Sequence, residues 1–334
     1  MPTVFDQHFD YGPYHGGWIE TAPRPTLLEW QWRKLVEHVD WLERQCPFWR
    51  VKFTQAGASA AGLRTIEDFH RLPTTDKHEQ AMALEDAGAT DCGGLLCRPH
   101  SEIQQNGAFI WHTTGTTGRQ RAFITSFGEF KRIGVRAASR VLWMGEMRPG
   151  AMFGILAPAT FWIAGLALNH ACRGIGVTPL LLGPPLDTAG KLEMLRRYRP
   201  AGVFMTPTFA PRLLEVAAER GIDMQSLGTK SVILGGEVVT LECRRLIESE
   251  WKPERGVYDS GGLSETLGFM YGECDRHDGM HVFEDIHHAD VVDPDDPVRP
   301  VAPGQIGELV VTSFTQRDLI AAFRFRTNDL VTYT

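Results

Sequence analysis

The chain has 334 residues, with 34 Lys+Arg against 41 Asp+Glu and a formal net charge of −7. Neutralising a phosphate backbone needs clustered positive charge, so this balance excludes a general nucleic-acid binder. At 43% hydrophobic and 22% charged residues, the composition is that of a globular protein with a large core, which excludes disorder and collagen.

Length sets an expectation of about two domains. The most apolar stretch, Met152 to Ala171, is interrupted by Pro158, Thr160, Asn169 and His170. It falls short of the roughly 18 uninterrupted apolar residues of a membrane span. The opening MPTVFDQHFDYGPYHGG carries acidic residues and no apolar h-region, so no secretory signal is expected. The expectation is a soluble, cytoplasmic protein without a membrane partner. Cys46, Cys92, Cys97, Cys172, Cys243 and Cys274 are too sparse for a disulfide framework, and a reducing compartment fits. Cys92 and Cys97, spaced C-x4-C in DCGGLLC without a matching second pair, are expected to be unpaired thiols.

In chain order, residues 26–46 place Leu28, Trp32, Leu35, Val39 and Leu42 at helical spacing, which predicts an amphipathic packing helix. A second helix is predicted around 66–71, before the loop LPTTDK. From about residue 107, short apolar runs (AFIWH, AMFGILAP, VTPLLLG, AGVFMTP, SVILGG) alternate with the helical segments KLEMLRRY, APRLLEVAAER and LECRRLIESEW. Such alternation predicts an α/β fold with layered subdomains and mainly parallel sheets. After about 281, HVFEDIHHADVVDP, IGELVVTSFT and AAFRFRTNDLVTYT read as strands between Pro, Gly and Asp turns. The expected organisation is a helical region over 1–106, an α/β core over 107–280 and a β-rich subdomain over 281–334. His287 and His288 are expected to be a solvated strand pair.

Three segments carry chemistry. HTTGTTGRQRAFITS, 112–126, sets two glycines among four threonines directly after a strand. Backbone N–H groups and hydroxyls in such a loop converge on a multiply charged oxyanion, phosphate above all. It is not a Walker A loop, because Arg119 and Gln120 follow Gly118 where Lys and Ser/Thr are required. In YDSGGLSETLGF, 258–269, Glu265 is a candidate Mg2+ ligand, since that ion takes hard oxygens and bridges phosphates. In FRFRTNDLV, 323–331, Asp329 is one carboxylate able to accept two ribose hydroxyl protons, although an acid at a strand end is commonly a turn residue. No G-x-G-x-x-G with a following acid is present, which argues against a dinucleotide-binding dehydrogenase.

In this order and at these separations, the three segments resemble the adenylate-forming superfamily of acyl-CoA synthetases. That family's phosphate loop reads roughly [ST][ST]GTTG-x-P-K and is followed by YG-x-[ST]E and [YF]-R-T-x-D. The phenylacetate-CoA ligase branch is the most similar, on PFWR near 47, the Gly-Gly-Glu at 235–237, GLSE at 262–265, ECDRHDGMHVFED at 273–285 and RFRTNDL at 324–330. The resemblance implies the large N-terminal domain of that fold, including a small distorted β-barrel. It also implies adenylation of a carboxylic acid by ATP, followed by transfer to a thiol, usually coenzyme A. Carried over, it implies that Thr113, Thr114, Gly115, Thr116, Thr117 and Gly118 wrap the ATP phosphates. Gly235, Gly236 and Glu237 would line the adenine through their backbone, with Ser260, Gly261, Gly262 and Ser264 on the same nucleotide side. Glu265 would hold Mg2+ and Asp329 the ribose, with Thr114, Glu265 and Arg121 as the catalytic set.

Three departures stand out. Arg121 replaces the family's loop lysine and Gln120 its proline; Gly261 replaces the aromatic residue that stacks on adenine; and the chain stops at Thr334, five residues after Asp329. Family members continue there with a small domain bearing a catalytic lysine, so its absence and an impaired activity are expected. Phe161, Trp162, Thr206 and Phe209 are expected to line the acid pocket. With no Arg or Lys in PATFWIAGLALNHA or MTPTFA, a monocarboxylic aromatic acid is favoured. Cys274, His277 and His281, with Cys243, offer S/N donors for a structural Zn2+. Transfer to a carrier protein or an amine, a non-catalytic nucleotide or aryl-acid binder, and a homodimer remain open at this level.

Overall fold

The computed structural model describes residues 18–85, 95–105, 107–112, 122–159 and 162–334. The chain forms two compact units, one from 1–20 with 134–281 and the other from 21–133 with 282–334. The segment after 281 thus groups with residues 21–133.

Thirteen strands are formed among the described residues. β1 (Ala108–His112) and β2 (Ala122–Ser126) pair antiparallel, His112 opposite Ala122. The larger sheet holds β3 (Met152–Ile155), β4 (Thr178–Leu181), β5 (Gly202–Met205), β6 (Ser231–Gly235), β7 (Gly256–Leu263), β8 (Gly268–Glu273) and β9 (Met280–Val282). Its spatial order is β4-β3-β5-β6-β7-β8-β9. The pairs from β4 to β7 are parallel, and β7 with β8 is antiparallel. Every residue of β5 and β6 is buried, as expected for strands covered on both faces, and this explains their unbroken apolar runs. Helices Ile163–Gly174, Thr188–Tyr198, Phe209–Glu219 and Leu241–Glu250 make the crossovers. Asp187 and Thr240 start two of them by accepting from Gly190 N and Cys243 N. The core between sheet and helices gathers Leu192, Leu195, Leu213, Val232, Leu234, Ile247 and Trp251.

In the other unit, β10 (His288–Asp293), β11 (Asp296–Pro300), β12 (Gly307–Thr312) and β13 (Phe325–Val331) form an antiparallel sheet of order β11-β10-β12-β13. Its second core is helical and aromatic, with Leu35, Val39, Leu42, Trp49, Phe53, Phe69, Phe314 and Phe323. The first long helix runs Arg24–Gln45, and its buried stripe is Leu27, Gln31, Leu35, His38, Val39 and Leu42. Leu28 is 46% exposed and its place in the stripe is taken by Leu27 and Gln31, while Trp32 packs partly buried against the core as expected. The helix near 66 spans Ile66–His70 and is started by a Thr65–Asp68 capping box.

Two expectations are corrected here. Cys97, expected as an unpaired thiol, is disulfide-bonded to Cys46 within this core; the partner lies 51 residues away, a pairing no local spacing encodes. Cys92 lies outside the described residues. His287 and His288, expected in solvent, are withdrawn from it. His287 is fully buried, with its Nδ1 2.7 Å from Ser313 Oγ, and His288 lies against Asp290.

Candidate nucleotide and acid site

A parallel sheet offers its ligand crevice at the carboxyl ends of its strands, where the strand order reverses. Here β3 lies between β4 and β5, so the reversal falls between β3 and β5. The segment after β3 leads to Trp162, and the segment after β5 holds Thr206 and Phe209. These are the stretches expected to line the acid pocket, and the topology brings their strands side by side. Phe161 lies outside the described residues. Trp162 is partly buried and its ring centroid is 5.9 Å from that of Phe204 on β5.

The next strand ends carry the glycine-rich segments. β6 ends at Gly235, in register with Ser260 of β7, and the Ser260 hydroxyl donates to Leu234 O at 2.8 Å. Gly236 adopts φ +87°, and a Cβ there would lie 2.7 Å from Trp162 Cζ2. Only glycine lets the turn rest on that indole. Glu237 contributes more than backbone: its carboxylate accepts from Thr208 N and Thr208 Oγ1, both at 3.0 Å. The loops after β5 and β6 are thus tied by one side chain.

Glu265 sits in the short 3-10 turn Ser264–Thr266 between β7 and β8, 3% exposed. Thr266 shapes that turn, its Oγ1 lying within hydrogen-bond reach of Leu263 N, Leu263 O and Gly268 O. Gly261 and Gly262 are partly buried on β7. Asp329 is exposed on β13 in the other unit, its N–H donating to Thr327 Oγ1. Thr113, Thr114, Gly115, Thr116, Thr117, Gly118 and Arg121 lie outside the described residues.

Sequence reasoning missed Lys191. No Lys occurs in the two acid-pocket segments, yet Lys191, in the first turn of helix Thr188–Tyr198, reaches Leu156 O at 3.0 Å. Its ammonium lies 4.6 Å from the Phe209 ring centroid. Burial lowers its pKa. Asp259 on β7 is pushed up to about 6 by burial and by the charge of Glu273. Glu273 is held by Arg244 at 2.7 Å and by Asp259 N at 2.9 Å.

The expected zinc set is not assembled. Cys274 Sγ and His281 Nε2 approach to 3.4 Å, but His277 turns to Glu273 and to the Tyr258 ring. Cys243 packs on the crossover core and donates to Pro207 O. Among the described residues, metal-type donors converge only at His70, His288 and Asp290. There both imidazole Nε2 atoms meet Asp290 Oδ1, at 3.1 and 3.0 Å. Asp290 also feels the buried Arg324 guanidinium, so its charge is already balanced and the group is an ion-pair network.

An AMP-binding enzyme family model matches residues 53–315. The phenylacetate-coenzyme A ligase of Thermus thermophilus is 28% identical over 319 residues, covering 95% of this chain and 68% of that protein. The Escherichia coli K12 protein of the same name is 25% identical, with 93% and 68% covered. Among solved structures, 2-hydroxyisobutyryl-CoA ligase with 2-HIB-AMP and CoA superposes with a TM-score of 0.84 at 24% identity in an open conformation, covering 94% of this chain and 71% of that one. In its thioesterification state the TM-score is 0.85 at 25% identity, with 94% and 65% covered. The chain spans about two thirds of the length of these relatives. The strand order, the glycine-rich strand ends and a family match over most of the chain agree: this chain belongs to the AMP-binding enzyme family and has the adenylate-forming fold.

Proposed function

We propose that the chain carries the adenylating portion of an AMP-forming acid–CoA ligase acting on an aromatic carboxylic acid. In the first half-reaction a carboxylate oxygen bonds to the α-phosphorus of ATP, the α–β bridging P–O bond breaks, and pyrophosphate leaves with the bonding electrons. In the second, the sulfur of coenzyme A, having lost its proton, bonds to the acyl carbon and AMP departs. The first step asks for alignment of two anions and screening of their repulsion, with little covalent help from the protein. In this reading the 113–118 loop and Arg121 hold the phosphates, and the backbone of Gly235, Gly236 and Glu237, with Ser260, Gly261, Gly262 and Ser264, lines the nucleotide. Asp329 accepts from the ribose, and Trp162, Phe161, Thr206 and Phe209 enclose the acid. Glu265, a buried carboxylate at a strand end, fits a Mg2+ ligand, and that ion when bound screens the phosphate charges. ATP and coenzyme A are its co-substrates.

The observation that carries this reading is the family match over 53–315, on a sheet whose order reverses beside the proposed acid segments. The phenylacetate-CoA ligase names of the relatives favour an aromatic acid. The test is a panel of aryl and aliphatic acids assayed for pyrophosphate release and hydroxamate formation. Acid-dependent release, strongest with aryl acids and lost in Glu265→Ala, is expected. Saturable Mg-ATP binding without acid-dependent release by any acid would overturn the ligase reading.

A further inference from the structure

Tyr271 occupies a position that nothing in the sequence signals. It stands on β8 directly opposite Gly261 of β7, and directly opposed residues of an antiparallel pair project to the same face of a sheet. The tip of its ring fills the space a side chain at 261 would need: a Cβ built on Gly261 would lie 2.6 Å from both Tyr271 Cζ and Oη. The phenol therefore rests on bare backbone one residue beyond Ser260, the residue in register with Gly235 at the end of β6. Tyr271 is only partly buried, whereas Phe269, Met270, Gly272 and Glu273 around it on β8 are buried. An aromatic side chain kept partly open at the carboxyl ends of parallel strands, against a glycine that makes room for it, has the form of a platform for a flat ligand.

We infer that Tyr271 seats the base of the nucleotide, as a positioning residue for the reaction proposed above; the inference rests on that reading. A base presents a π-face whatever its edge pattern, so a phenol ring at its side contributes affinity through stacking and orients the attached phosphates without touching them. The Gly261–Tyr271 pair is one device in two halves. Glycine at 261 is what admits the ring from β8, and a bulky residue at 261 would need position 271 to be small.

Isothermal titration of the full chain tests this with Mg-ATP, AMP and, as a base-free probe, Mg-pyrophosphate. Tyr271→Ala, and Tyr271→Leu as the variant that keeps bulk in the fold, are expected to weaken ATP and AMP binding by about 5-fold to 150-fold. Pyrophosphate affinity should be unchanged, and Tyr271→Phe should stay close to the parent. The exchanged double variant Gly261→Tyr/Tyr271→Gly should recover most of the lost affinity, a rescue that a purely structural role for Tyr271 does not provide. ATP binding by Tyr271→Leu equal to that of the parent overturns the role of Tyr271 alone. So does an equal loss of pyrophosphate binding, which would mark general damage. A parent chain that binds neither ATP nor AMP overturns this role together with the nucleotide reading.

Discussion

Asp290 receives two imidazoles on one oxygen, and its titration follows from that contact. Burial works against its charge, but the charge and hydrogen bond of His288 and the hydrogen bond of His70 outweigh burial and hold its carboxyl well below the usual range. For His288, burial opposes protonation, yet the charge and hydrogen bond of Asp290, helped by Glu284 and opposed by Arg324, raise its pKa. A depressed acid stabilises the fold above its unfolded pKa and loses that contribution as pH falls; a raised histidine stabilises it below its unfolded pKa and loses that contribution as pH rises. The network is therefore strongest between about pH 4 and pH 6.5. Denaturation of the Asp290→Asn variant across pH should show a deficit that is greatest in that window and narrows on both sides. Gly236 yields a second expectation at this scale. Alanine there meets Trp162 and keeps a left-handed φ, so Gly236→Ala should lose about 1–3 kcal/mol of stability in urea unfolding.

At the scale of elements, Arg244 joins helix Leu241–Glu250 to β7 and β8 by bonding Val257 O and Glu273. Its side chain is 18% exposed and that of Glu273 6%. Removing one member of a largely buried pair leaves the other charged without its partner. Arg244→Met should therefore cost about 3 kcal/mol, read by chemical denaturation, and should cost less when combined with Glu273→Gln. Much of this level is legible in sequence. The runs AGVFMTP and SVILGG became β5 and β6 because fully buried strands need unbroken apolar residues, while AMFGILAP became β3, buried but for Met152, and VTPLLLG became the more exposed edge strand β4. The histidine pair at 287–288 misled because polar residues read as solvated, whereas Ser313 arrives from a distant segment to meet His287, and Asp290, two residues on along β10, meets His288. Lys191 and the proposed platform Tyr271 were hidden because one reaches Leu156 and Phe209 from a helix and the other faces Gly261 across a strand pair, and neither lies in the glycine-rich segments.

For the molecule as a whole, the first long helix and the segment before helix His100–Gln105 are joined by Cys46–Cys97. A bridge across 51 residues restrains the unfolded chain and stabilises the fold by about 4 kcal/mol on chain-entropy grounds. Peptide mapping should find both thiols protected from alkylation until reductant is added, and Cys46→Ser should lower the melting temperature. The α/β class and the β-rich end followed from texture alone. The grouping of 282–334 with 21–133 is not visible in texture, because units assembled from distant segments leave no local mark in composition. Among the described residues no helix is long and apolar enough to cross a membrane.

The carboxylate of Glu237 grips Thr208 by both backbone and hydroxyl, so the rim next to Phe209 and the turn on Trp162 shift as a single body. On the proposed reading, changes at 206–209 made to admit bulkier acids should disturb the proposed nucleotide segment 235–237 in step. Laboratory selection on this scaffold should accordingly meet its trade-offs at this clasp, and Glu237→Ala, which removes the acceptor of both Thr208 bonds, should uncouple the two loops.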